Sequence, residues 1–221
     1  MKVAYVGVAA VAFVFLIVGA AVRSAPTMMI QPLEHEFGWS AATVSIPLML
    51  NLALFGFMGP FAAALFARFG LRTTIASAFV LMSIAALLST TIRAPWQLAL
   101  YWGLFVGLGT GCVGLVAGAT IVNRWFDRGR GTVMGILTAS NATGQLIFLP
   151  IFGLIVAGPG WRAEAIAVAI ACALIVPVTL LVLREYPSDA GLPPYGAEAI
   201  VIPERAKGNP FDAAIDGLRR G

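Results

Sequence analysis

Long apolar runs separated by short polar breaks organise this sequence, at residues 3–30, 43–65, 73–91, 96–122, 132–157 and 163–183. A helix rises about 1.5 Å per residue, so roughly 20 apolar residues reach across the hydrocarbon layer of a bilayer. Each run is of that order. The pattern predicts an all-α membrane protein whose six transmembrane helices occupy residues 1–184. From residue 185 to 221 the character changes to a polar, proline-rich linker, beginning Glu185-Tyr186-Pro187-Ser188-Asp189. Near its end Asn209-Pro210 offers a helix start, and Phe211, Ala214, Ile215 and Leu218 repeat as one apolar face. A short amphipathic helix is expected there.

The breaks carry the turn chemistry. Arg23 and Pro26 interrupt the first run, Thr27 to Ile30 continue it, and Gln31-Pro32 break it. This predicts one long helix bent near its outer end, then an external loop with Glu34, His35, Glu36, Gly38 and an interfacial Trp39. In the fourth run Gly103, Gly107, Gly111, Gly114 and Gly118 are three or four residues apart, a stripe that lets another helix approach backbone to backbone. Gly131 and Gly135 begin the fifth in the same way, and Pro150 falls in its outer half.

Composition agrees with the bilayer as solvent. Hydrophobic residues make up 60% of the 221 and charged residues 11%, whereas a soluble domain carries about a quarter charged residues. The mean hydropathy is +0.92. A formal charge of +4 raises the question of nucleic acid, but the basic residues mark topology instead. Lys2, Arg68, Arg72, Arg124, Arg128, Arg130 and Arg184 fall at alternate ends of the spans, opposite Arg93, Arg162, Glu34 and Glu36. The positive-inside rule then puts both termini in the cytoplasm of a multi-pass protein of the inner (plasma) membrane. The stretch from Met1-Lys2 to Gly19-Ala20-Ala21 also has the outline of a signal peptide; five further runs of membrane length favour a span. Cys112 and Cys172 lack metal-ligand spacing and read as packing residues, so no metal and no cofactor is implied.

Few polar groups lie at membrane depth. Arg23 is the clear charge inside an apolar run, where insertion costs about 2.5–3.5 kcal/mol at the helix centre. It either faces a water-filled cavity and pairs with an anionic substrate, or snorkels to the outer headgroups. Asn51 in the second helix and Thr138, Ser140, Asn141, Thr143 and Gln145 in the fifth supply neutral hydrogen-bonding groups, and Asn141 and Gln145 share a face. They line a pathway or join helices. Helices three and six carry nothing more polar than Ser, Thr or Cys inside, and every acidic residue is expected outside the apolar cores. The asymmetry favours helices one, two, four and five as pathway walls. His35 reads as solvated. A serine-type intramembrane enzyme would need a histidine at membrane depth, so no enzymatic activity is expected.

The segment from Gly59 through Arg68, Gly70 and Arg72 resembles the loop between the second and third helices of major facilitator transporters. Further pieces resemble their bacterial monocarboxylate and oxalate/formate porter branch: Pro32 to Ser40, Pro95-Trp96-Gln97-Leu98, Asn123 to Gly131 with Arg130, Gly160-Trp161-Arg162, and Gly191 to Gly196. The resemblance implies a twelve-helix fold of two six-helix halves, each an inverted pair of three-helix repeats, with substrate bound between the halves. This chain would then be the N-terminal half, moving a small organic anion such as a monocarboxylate by alternating access with a complementary six-helix half. Where that family usually has an aspartate this chain has Ala67, which puts the latch of that loop in doubt. The positive-inside rule alone would also place Arg68 and Arg72 there. The alternative reading is a truncated or structural membrane subunit that does not transport.

Overall fold

A computed structural model describes residues 2–197 and 199, and consists almost wholly of helices. The proposed amphipathic helix at Phe211 to Leu218 lies outside the described residues. Among the described residues six helices are long and apolar enough to cross a membrane. They are α1 (Lys2–Phe37), α2 (Ala41–Phe69), α3 (Leu71–Ser89), α4 (Pro95–Trp125), α5 (Arg130–Ala157) and α6 (Trp161–Val182). One end of the bundle gathers the start of α1, the α2–α3 and α4–α5 turns and the segment after α6, with Arg68, Arg72, Arg124, Arg128, Arg130 and Arg184; we call it the basic end.

The helices run past the apolar limits of their spans. The break expected at Gln31-Pro32 does not occur: α1 continues to Phe37, and Glu34, His35 and Glu36 sit on its last turns rather than in a loop. Proline removes its own backbone donor and crowds the carbonyl one turn back, and tertiary contacts outweigh that cost. Leu33 is wholly buried, Phe37 packs on the core, and Glu36 is held by α6 as described below. The connection shrinks to Gly38–Ser40, where the Ser40 hydroxyl caps α2 by accepting from the Thr43 amide at 3.2 Å. Trp39 stacks on Phe37 with ring centroids 4.6 Å apart.

The most extensive helix contacts pair α2 with α4, α1 with α5 and α3 with α6, and α3 also packs on α4 as α6 does on α1. Lipid tails provide no hydrophobic force between helices, so close fit and hydrogen bonds must hold them. In α4 the glycines supply the fit. A Cβ on Gly103 would lie 3.2 Å from the Pro47 carbonyl oxygen, one on Gly107 3.1 Å from the Asn51 Cα, and one on Gly111 2.5 Å from the Met58 Cβ. Gly114 likewise faces Phe55, so four of the five glycines turn towards α2. Gly118 turns elsewhere, towards Leu16 of α1 and Leu137 of α5.

The cause is that α4 is not one regular helix. It has a π-helical segment (Ala99–Val106), α-helical turns at Gly107–Val113, and a break at Gly114, whose ψ of −161° lies far from helical values. Beyond the break Leu115–Trp125 presents a new face. Replacing Gly111 by valine is expected to overpack the α2–α4 contact and destabilise the fold by about 1–3 kcal/mol. Thermal unfolding in detergent measures this, and Gly131→Val, where a Cβ meets nothing within 4 Å, serves as the control.

Candidate functional site

Midway along α1, Arg23 turns into the bundle. Its Nη2 donates to Oδ1 of Asn141 on α5, and its guanidinium carbon lies 4.4 Å from the centroid of the Phe55 ring on α2. Three helices therefore hold one half-buried cation, by a charge-assisted hydrogen bond and a cation–π contact. Its position is set by a close crossing of α1 and α5 at Gly144, where a Cβ would come within 3.0 Å of the Ile17 carbonyl oxygen and 2.9 Å of the Ala20 Cβ. Gly144 went unnoticed in the sequence, although it lies three residues after Asn141 and so on the same face.

Arg23 opens onto a cavity of about 330 Å³ walled by Ser24, Thr27, Asn51, Gln145 and Leu149. That is within the range of small-molecule sites. The candidate polar groups divide here. Asn51 is buried, and its Nδ2 donates to the Trp102 carbonyl oxygen at 2.7 Å, which ties α2 to the π-helical segment of α4. Gln145 is exposed towards the cavity. Thr138 and Ser140 donate back to their own helix, at the Met134 and Leu137 carbonyls, and Thr143 is exposed.

One expectation about acids is overturned. Glu164 lies in the first turn of α6 and is wholly buried, with neither carboxyl oxygen hydrogen-bonded among the described residues. Its place at the edge of an apolar run suggests the headgroup region. The helix, however, starts at Trp161 and turns Glu164 onto the stripe of Trp161, Val168 and Cys172 that packs inwards. Glu36, also expected in solvent, accepts from Arg162 at 2.6 and 2.9 Å and from the Trp161 indole at 2.8 Å. Arg162 Nε also donates to the Thr90 carbonyl, so α1, α3 and α6 are fastened together at the end opposite the basic one.

At the basic end the fastener is Glu185, which the sequence placed only in a polar linker. Its carboxylate accepts from the Leu71 and Arg72 amides at 2.7 and 2.8 Å, capping α3, and from Arg124 Nη1 of α4 at 3.0 Å. Gly70 alone joins α2 to α3, at φ 88°, and a Cβ there would lie 2.6 Å from a Glu185 oxygen. Both the turn and the cap thus require glycine. The side chains of Arg68 and Arg72 are exposed, and the Arg68 guanidinium carbon lies 5.3 Å from the Phe69 ring centroid. Gly59 is within α2 with only an ordinary approach to Val116. Arg130 Nε donates to the Phe126 carbonyl and its Nη2 to Asp127, within the α4–α5 turn. The linker closes beneath: Tyr195 accepts from the Asp127 and Arg128 amides and donates to the Trp125 carbonyl, and the Tyr5 hydroxyl donates to the Pro193 carbonyl.

Six spans around an inward cation describe an architecture, and the family model for the Major Facilitator Superfamily matches residues 11–215. The chain belongs to that superfamily. Its relatives include an uncharacterized MFS-type transporter, YcxA, from Bacillus subtilis, 23% identical over 178 residues that cover 80% of this chain and 44% of the relative. Monocarboxylate transporter 11 from Homo sapiens is 28% identical over 163 residues, 73% of this chain and 34% of the relative. An MFS-type transporter from Gibberella zeae is 27% identical over 137 residues, 61% and 31% respectively. The chain thus spans less than half the length of these superfamily members, and its fold is a six-helix, all-α unit of the major facilitator type.

Glu185→Ala removes a helix cap and an ion-pair partner together. It is expected to cost about 1–3 kcal/mol of stability, read as a lowered unfolding midpoint in detergent. Glu185→Gln, which keeps the acceptor oxygen, should lose less.

Proposed function

We propose that this chain forms one half of a secondary transporter that moves a small organic anion, a monocarboxylate by preference, by alternating access with a complementary six-helix half. The observation that carries the reading is the charge balance at Arg23. The cation is held by an amide oxygen and an aromatic face, and no carboxylate among the described residues forms an ion pair with it. A buried charge without a counter-ion is costly, and a substrate carboxylate entering the cavity supplies one. Gln145 and Thr27 stand at the cavity wall as neutral donors for the rest of the anion. The name of the human relative supports a monocarboxylate.

The second half has a place to pack. Apolar side chains are exposed along α2 at Ile46, Met49, Leu52 and Phe57, and along α5 at Ile136, Leu146, Ile151 and Leu154. These two helices are the least buried of the six. In this reading Asn51 is a structural joint, while Arg23, Asn141 and Gln145 face the substrate. Arg68, Gly70, Arg72 and Arg130 shape the turns at the basic end, where Glu185 fastens α3 to α4 and Ala67 offers no acid. The basic end lies in the cytoplasm by the positive-inside rule, as in a plasma-membrane protein with both termini inside.

Coexpression with a C-terminal six-helix half, followed by uptake of a radiolabelled monocarboxylate, tests the assignment. Arg23→Ala is expected to reduce uptake by about 10- to 150-fold, the equivalent of one hydrogen bond to a charged group, with Arg23→Lys retaining part of it. Undiminished uptake by Arg23→Ala at equal expression removes the anion-binding role. Absence of uptake by the parent assembly favours the non-transporting subunit instead. Orientation is read separately, in a chain carrying Cys112→Ser and Cys172→Ala. A membrane-impermeant thiol reagent applied to intact cells should label His35→Cys and spare Arg72→Cys.

A further inference from the structure

α1 packs against both α5 and α6, while α5 and α6 touch each other little. Towards the basic end this leaves a groove of about 590 Å³, with Val6, Ala10 and Val14 of α1 as its floor and Val133 of α5 as a wall. Its direction follows from α1. Gly7 meets Val182 of α6, and at 100° per residue Ala10 and Val14 lie about 140–180° around the helix from Arg23. The groove therefore opens between α5 and α6, towards the hydrocarbon and away from the Arg23 cavity. Ile136 stands on its rim and is shared with the face offered to a second half.

We propose that this groove holds an acyl chain of an anionic phospholipid from the leaflet at the basic end, with the headgroup phosphate met by Arg128. Tyr5, Phe126 and Tyr195 line the mouth, with ring centroids 5.4 to 6.4 Å apart. Aromatic rings gather at headgroup level. From Tyr5 to Val14 α1 rises about 14 Å, close to half of a hydrocarbon layer roughly 30 Å thick. Charge at the mouth selects the headgroup. Arg124 is paired with Glu185 and Arg130 with Asp127, whereas the exposed Arg128 side chain has no carboxylate partner among the described residues. Its place beside the groove is fixed by the linker. The Arg128 amide donates to the Tyr195 carbonyl at 3.0 Å, and the stem of the side chain crosses Gly196, where an added Cβ would come 2.6 Å from the Arg128 Cβ. A soluble anion would leave the groove unfilled, and a lipid without net charge would leave Arg128 uncompensated. An acyl chain carrying an anionic headgroup meets both.

Photocrosslinking of the full chain in proteoliposomes tests this, with phosphatidylglycerol and phosphatidylcholine carrying the same diazirine-labelled acyl chain as probes. Crosslinks from phosphatidylglycerol are expected between Val6 and Val14, at about fivefold the yield from phosphatidylcholine, the factor that one arginine near the surface contributes. Arg128→Gln should bring the two lipids to the same yield there. Ala10→Trp and, independently, Val6→Trp fill the groove from exposed positions. Each should remove the crosslinks from this stretch with helix content unchanged by circular dichroism. Equal yields from the two lipids on the parent chain overturn the proposal. So does a preference that persists in Arg128→Gln, or crosslinking in this stretch that neither tryptophan reduces.

Discussion

No water reaches the hydrocarbon layer, so each peptide N–H and C=O inside it must be satisfied by the chain itself, and the helix is the local solution. Once six helices are imposed in this way, what distinguishes the fold is how they adhere in a medium as apolar as their side chains. Close backbone approach is the main answer. Pro47, Asn51 and Leu54 of α2 lie against glycines of α4, and α1 lies against Gly144 of α5. Side-chain hydrogen bonds, such as Asn51 to Trp102, then fix the register.

Charge is used sparingly and chiefly at the ends. Glu36 joins α1 to α6 at one end, and Glu185 joins α3, α4 and the linker at the other. Each carboxylate accepts from an arginine and from neutral N–H groups, the Trp161 indole for Glu36 and the Leu71 and Arg72 amides for Glu185. Arg23 departs from this economy, because its partners are neutral. Glu164 departs further: it is a carboxyl buried without a hydrogen-bonding partner among the described residues, whereas the other buried groups in that condition, on Trp102, Trp125 and Thr179, are neutral. Local imbalance of this kind is where a protein's interior has work other than stability to do.

The number, order and approximate extent of the helices were legible because hydropathy reports the solvent directly, and the bilayer is a demanding solvent. The glycines of α4 were legible too, since their spacing follows helical geometry. What was hidden depends on distant partners. Nothing near Pro32 announces that α1 continues, because the contact helping to hold its last turn comes from Arg162, 126 residues away. Glu185 looked like one polar residue in a polar linker until the fold brought the α3 terminus to it. The face of Glu164 could not be assigned while the start of α6 was uncertain by two residues. Arg23 was visible as an anomaly from its place inside an apolar run, but Asn141 and Phe55 as its neighbours are matters of packing.

The interruption of α4 at Gly114 gives the bundle a joint. The part before it is locked to α2 by contacts with almost no clearance, while the part after it leans on α1 and α5 as well. A rod so divided presents two faces that one straight helix could not, each to a different set of neighbours. The break borders the same small pocket as the Arg23 side chain. The change of face in α4 therefore falls beside the cation.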